Sequence, residues 1–454
     1  MTVPDPTSKS PSALVVQMAR FPRRDAVTVL TTFLVLLYLI PSDRVIGALG
    51  GAGSPSALFA LAAGLWWGWY QLARREPAVD LRTQPVRVAV TVFMGAVLAS
   101  YIVAMLRPLP SSELNGADLG LLRMFALVSI LLVANDLIPD LARLRILLHR
   151  LVVTGALLAA LGLVQFATGQ SLVSSVSIPG LSASQDFSAV QDRNGFARAA
   201  ATAMSPLEYA AVLSMILPIA LTFALTDTTR PRWYRWLPAL VIIAALAVSA
   251  SRSGWLGLAL GIISLLPFWP RRVRIGAAVA SAAGLALLYL TVPGMIGTLR
   301  GLFLDSGSDP SATSRSSGYE DVGQVFATSP ILGRGFGTYT RDYRILDNQY
   351  LLTVVELGAL GLLALVSVLV TAIVVAIAAR RRPADALTRQ LGPALAASVL
   401  VGAVLTALFD AFSFRMAGGT LFLMLGLCGA YWRLTVPKRP RGFSPAAEDS
   451  SRPD

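Results

Sequence analysis

In the stretch ILDNQYLLTVVELGALG, from Ile345 to Gly361, Asp347 and Asn348 stand where a long apolar run begins, and Glu356 lies inside its first turns. A carboxylate and an amide at such a boundary can cap a helix. A carboxylate there can also take the proton of an attacking hydroxyl group. On a continuous helix, residues eight apart lie about 80° apart, so Asn348 and Glu356 share related faces. Asp347 points nearly opposite Glu356, so the two carboxylates do not form a pair. The reading is that Asp347 and Asn348 start the helix and face an acceptor, with Tyr350 in support, while Glu356 holds an arginine.

Several arginines stand in settings that suit phosphate. Arg252 interrupts two apolar stretches in SASRSGWLG. It can snorkel to lipid headgroups. Alternatively, Ser251, Ser253 and Gly254 give a tight turn whose donors surround a guanidinium, a plausible phosphate site. Arg193 and Arg198 precede another apolar run in QDRNGFARAAATAMSPLEYAAVLSMILPIAL. Arg193 can form a surface pair with Asp192, which leaves Arg198 as the stronger candidate. Glu208, just inside that run, requires a partner, and an arginine is the expected one. A third segment, SPILGRGFGTY, sets Arg334 between Gly333 and Gly335. It lacks the lysine of a P-loop, which argues against nucleotide hydrolysis. Upstream, GYEDVGQVFATSP reads as a short amphipathic helix with Val322, Val325 and Phe326 on one face.

These residues need elements to position them, and the composition says which. The 454 residues are 55% hydrophobic and 14% charged, with a mean hydropathy of +0.65. A soluble chain would be about a quarter charged. The reading is an all-α integral membrane protein with about twelve transmembrane helices. The spans are expected near 27–46, 55–73, 86–106, 119–136, 146–167, 206–226, 236–251, 253–269, 275–297, 348–379, 391–411 and 417–436. The seventh and eighth should meet in a tight hairpin. The tenth is too long for one straight crossing and should change character at GALG. Residues 1–25 read as a cytoplasmic tail, 26–436 as the membrane domain and 437–454 as a disordered cytoplasmic tail.

With the N-terminus inside, 26 of the 38 Lys and Arg residues fall on the inner side, at least three in every inner segment. This is the positive-inside pattern. It accounts for most of the net charge of +13 and argues against nucleic acid as a partner. Two long loops, about 168–205 and 298–346, fall outside, and they carry most of the candidate residues. The single Cys428 excludes an intramolecular disulfide or a cysteine zinc site. The single His149 lies toward the inner half and removes a histidine triad. No metal site and no cofactor are expected.

The order SRSGWLGL, then a long loop with SPILGRGFGTY, then DNQYLLTVVELGALGLL, resembles the O-antigen ligase and O-antigen polymerase superfamily of bacterial membrane glycosyltransferases. RNGFARAAATAMSPLEYAAVLSMILP resembles the segment before an earlier span of that family. The likeness covers roughly residues 190–375. It implies transfer of a glycan from a polyprenyl (undecaprenyl) diphosphate carrier to a glycan or other hydroxyl acceptor. It places that reaction at the outer face of the bacterial plasma membrane, in polysaccharide or cell-envelope synthesis, without metal or nucleotide. By this resemblance Arg198 and Arg252 bind the diphosphate, and Arg193 and Arg334 are expected to bind it with them. Ligases of the family usually carry His-Asn where this chain has Asp347-Asn348, which favours a polymerase or an exopolysaccharide enzyme over a ligase.

Two other classes compete. A multi-span transporter or flippase of an envelope precursor would also suit twelve spans, but the polar residues gather at one end and the spans are mostly clean. A non-catalytic scaffold of an envelope-assembly complex also stays open, because the position of the family histidine is changed.

Overall fold

A computed structural model describes residues 25–73, 84–170, 172–173, 177–183, 191–193, 196–249, 251–291, 322–323, 326–340, 343, 346–382 and 385–435. Twelve α-helices of a dozen residues or more lie among them. They are α1 Ala26–Leu39, α2 Pro55–Leu72, α3 Pro85–Met105, α4 Ser111–Leu137, α5 Leu141–Thr168, α6 Pro206–Thr226, α7 Arg232–Val248, α8 Arg252–Ile263, α9 Arg271–Thr291, α10 Gln349–Ala379, α11 Ala386–Leu405 and α12 Arg415–Thr435. Each overlaps one expected span. Six of them (α3, α4, α5, α6, α10 and α11) are long and apolar enough to cross a membrane. The chain is thus an all-α, multi-pass membrane protein.

Local chemistry sets the helix starts. Proline occupies the first turn of α2, α3 and α6, where its missing N–H costs nothing. Asp140 caps α5 by accepting from Arg143 N at 2.8 Å, and Asp385 caps α11 by accepting from Thr388 N at 3.0 Å. Partial burial opposes ionisation of Asp385, but the Thr388 amide and hydroxyl and the Arg145 guanidinium outweigh it and hold the carboxyl below its ordinary range.

Several span edges move. α1 stops at Leu39, because Pro41 and the glycine-rich stretch beyond cannot continue it. The segment after it holds the two-residue strand β1, Arg44–Val45, and a 3₁₀ turn, Gly47–Ala52. α4 begins at Ser111, well before the apolar run, because the first turns pack under a neighbouring loop. α11 ends at Leu405, so residues to 411 belong to a connection. α7 and α8 are joined by three residues, the expected hairpin. The last residues of the ninth expected span lie outside the described residues.

α6 is apolar all round and sits in the interior, buried on every face from Pro206 to Ala224. α12 is buried from Met416 to Tyr431. α9 lies at the periphery and is largely exposed along its length.

The connections between helices sort to two ends. At one end Asp25 pairs with Arg143, Arg145 with Asp385 at 2.6 Å, and Arg87 with Asp136 at 3.1 Å. At the other end the intervening connections touch one another. Ser42 N donates to Thr202 O at 2.8 Å, and strand β2, Ser182–Ala183, pairs antiparallel with β1. Arg415 donates to the Ser42 carbonyl. Gln349 N donates to Thr406 O at 3.0 Å, and Phe412 N donates back to Gln349 Oε1 at 2.9 Å. This loop end is where the candidate residues lie.

Candidate functional site

The start of α10 is fixed by side chains of its own sequence. Asn348 is the N-cap and accepts from Tyr350 N at 2.9 Å and Leu351 N at 3.2 Å. The Tyr350 hydroxyl donates to Ala403 O on α11 at 2.6 Å. The capping role expected of two residues therefore falls to Asn348 alone. Asp347 is exposed at the loop end.

α8 is seated against α6 and the last turn of α11. A Cβ on Gly257 would lie 2.5 Å from Ser214 Cβ and 3.3 Å from Leu405, so only glycine lets the helices approach this closely. Arg252 opens α8 with its guanidinium stem half-buried. Ser251 and Ser253 are buried on either side, their hydroxyls 2.7 Å apart. The start of α10 and the second turn of α8, at Gly257, therefore both touch the C-terminal end of α11, while the first turn of α8, with Arg252, abuts Ser249 and α6 through Gly254.

Arg193 and Arg198 lie on a hairpin of β3, Gln191–Arg193, and β4, Phe196–Arg198, in which Arg198 pairs with Gln191 and Arg193 with Phe196. Their backbone is described; their side chains lie outside the described residues. The turn that follows reaches the bundle through Gln165, which accepts from Ala201 N at 2.7 Å.

Two expectations about buried carboxylates need correction. Glu208 is fully buried but binds backbone rather than an arginine. It accepts from Met204 N at 2.7 Å, Met416 N at 2.6 Å and Ala417 N at 3.3 Å. It thereby satisfies orphan donors in the first turn of α12. Glu356 also binds backbone, accepting from Tyr339 N of the glycine-rich segment at 3.3 Å. In both cases main-chain N–H groups take the hydrogen-bonding place expected of an arginine, while an arginine, Arg415 for Glu208 and Arg123 for Glu356, acts only through its charge at a distance.

Arg334 is committed to protein. Its Nη2 lies 2.7 Å from Glu113 Oε1 on α4, and its guanidinium stacks over Tyr343 at 4.1 Å. The short helix expected upstream is met by helical turns at 322–323 and 326–328. Val322 is buried and packs with Leu346 and Val355, whereas Val325 lies outside the described residues.

Sequence reasoning missed a further polar group. Asp410, in the connection between α11 and α12, accepts from the Ser413 hydroxyl, while its Oδ1 is buried without a hydrogen-bond partner. Burial pushes its carboxyl above the ordinary range, against the pull of Ser413 and Arg123. Arg123 donates to Phe412 O at 3.4 Å in the same connection. No local pattern marks these residues, because they meet only through helix packing.

The fold and the site define a polytopic membrane protein with an arginine- and carboxylate-bearing surface at one end of its bundle. Residues 237–366 match the family model described as O-antigen ligase, which supports membership of the chain in the O-antigen ligase superfamily. The matched region runs from α7 through α8 and α9 to the first part of α10, and so contains Arg252, Arg334, Asp347 and Asn348. Comparison with curated proteins gives no match.

Proposed function

We propose that this protein is a membrane glycosyltransferase acting on polyprenyl-diphosphate-linked glycan, a polymerase rather than a ligase, at the extracytoplasmic face of the bacterial plasma membrane with both termini cytoplasmic. One observation carries the reading. The start of α10, with Asp347–Asn348, and the second turn of α8, the helix that Arg252 opens, both touch the C-terminal end of α11, at the end of the bundle opposite most of the basic residues. A phosphate-binding cation and a hydroxyl-facing carboxylate thus open on the same end.

In this reading the acceptor hydroxyl attacks the anomeric carbon of the donor sugar. A new C–O bond forms, the bond to the diphosphate breaks, and the polyprenyl diphosphate leaves. Asp347 takes the hydroxyl proton. Arg252 and Arg198 bind the diphosphate oxygens, whose charge grows as the bond breaks, and guanidinium forks match that geometry. Arg193 assists at the edge of the same loop. No nucleotide enters the step.

The test is transfer by purified protein in proteoliposomes supplied with a polyprenyl-diphosphate oligosaccharide. Wild type should release polyprenyl diphosphate and lengthen the glycan, and Arg252→Ala should cut the rate by about 100-fold or more. Translocation of labelled donor without transfer would replace this reading with that of a flippase.

A further inference from the structure

α10 is not one helix. At Gly358 the backbone turns to φ 66°, ψ −165°, and the helical ladder is interrupted. A broken helix at membrane depth is tolerated only where other protein groups satisfy the freed backbone. Here the glycine-rich segment does so. Arg334 N donates to Val355 O at 2.8 Å and Gly335 N to Glu356 O at 3.0 Å. In return, Ala359 N donates to Pro330 O at 2.9 Å and Leu360 N to Ile331 O at 3.2 Å. The carbonyl of Glu356 also accepts from Ser100 Oγ on α3 at 2.7 Å.

The outer face of the same segment is pressed against the first turns of α4. A Cβ on Gly337 would lie 2.7 Å from the Gly116 carbonyl oxygen, so the contact is between bare backbones. One turn before Gly116 on the same helix face stands Glu113, 2% exposed. Its carboxylate takes the Arg334 guanidinium and the Tyr343 hydroxyl, while Arg107 stands 3.9 Å away. Tyr343 stacks in turn on Tyr339 at 5.4 Å, and Tyr339 N is the donor to Glu356.

We infer that Glu113, Arg334 and Tyr343 form a latch that seats the glycine-rich segment in the α10 break and so sets the position of residues 347–357. Arg334 is then a positioning residue, not a ligand of the donor diphosphate. The inference rests on the glycosyltransferase reading for its catalytic consequence, while its structural content stands without it. An ion pair buried on one side, holding a loop already bonded through its backbone, fixes one geometry, and removal of Arg334 leaves the buried Glu113 carboxylate with only the more distant Arg107 as its cation.

The experiment is a double-mutant cycle of Glu113→Gln and Arg334→Gln in the full chain, read by transfer kinetics and by amide hydrogen exchange. Each single variant should lower kcat about tenfold with donor KM within about twofold, and the double should be no worse than either. Exchange across 331–337 should rise by about tenfold in each variant, with α6 unchanged. The idea is overturned if Arg334→Gln raises donor KM by about tenfold or more while Glu113→Gln behaves as wild type. It is equally overturned if exchange at 331–337 is unaffected in both variants. Should wild type show no transfer, that result counts against the glycosyltransferase reading, and the exchange data alone decide the latch.

Discussion

Asp347 and Asn348 are neighbours with separable tasks. Asn348 caps α10, so Asn348→Ala should lower stability by about 1 kcal/mol, and Asn348→Ser should restore it. Asp347→Ala removes an exposed group that bonds no helix, so the thermal melt in detergent should stay unchanged while transfer falls. Equal losses of stability in the two variants would contradict the division. Asp410 gives a pH-dependent prediction. Its folded-state carboxyl is raised by burial, so ionisation costs stability once pH exceeds the ordinary carboxylate range. Asp410→Asn should therefore melt higher than wild type at neutral pH, and the gap should close as pH falls into that range. The capping chemistry was legible in the sequence because a cap and its partners lie within three residues. The partners of Glu208 and Glu356 were not, because they are main-chain N–H groups brought close by packing, and nothing in residue types announces them. Glu113 escaped notice for a related reason: it meets Arg334 across 221 positions.

Among the elements, α10 is the one whose irregularity matters most. The length of its apolar run and the GALG stretch foretold a change of character there, and the structure puts the break at Gly358. What fills the break was not foretold, because backbone complementarity carries no side-chain signal. Gly358→Ala should cost about 2 kcal/mol or more, since L-residues avoid that φ and the new Cβ would collide with the Ile331 carbonyl. The loss should appear as faster amide exchange on both sides of the break, at 331–337 and at 355–360. A melt and exchange pattern equal to wild type would mean that the segment is not held by the break. The edges of α4 and α11 shifted for a physical reason too: hydropathy marks where a helix is apolar, whereas packing and caps decide where it stops.

For the molecule as a whole, the connections sort to two ends, as alternate threading through a membrane requires, while the choice of which end is cytoplasmic rests on the arginine counts alone. Each of the twelve helices overlaps an apolar run that could be read directly, and six of them are long and apolar enough to cross a membrane. The expected membrane orientation predicts labelling. In a Cys428→Ser background, an impermeant maleimide should reach Leu49→Cys on intact cells and Thr228→Cys only after permeabilisation. The reverse pattern would turn the molecule over and place the site at the cytoplasmic face. The family match supports the class, and the residues at the loop end supply the chemistry proposed within it.

The most direct test of the central claim is the lipid-linked glycan profile of a deletion strain, compared with the same strain carrying the wild-type gene or the Arg252→Ala gene. The account predicts that single repeat units accumulate on the polyprenyl carrier and long polymer disappears in the deletion, that wild type restores the polymer, and that the normally inserted Arg252→Ala protein does not. An unchanged lipid-linked pool in the deletion, or full-length polymer from Arg252→Ala, would contradict it.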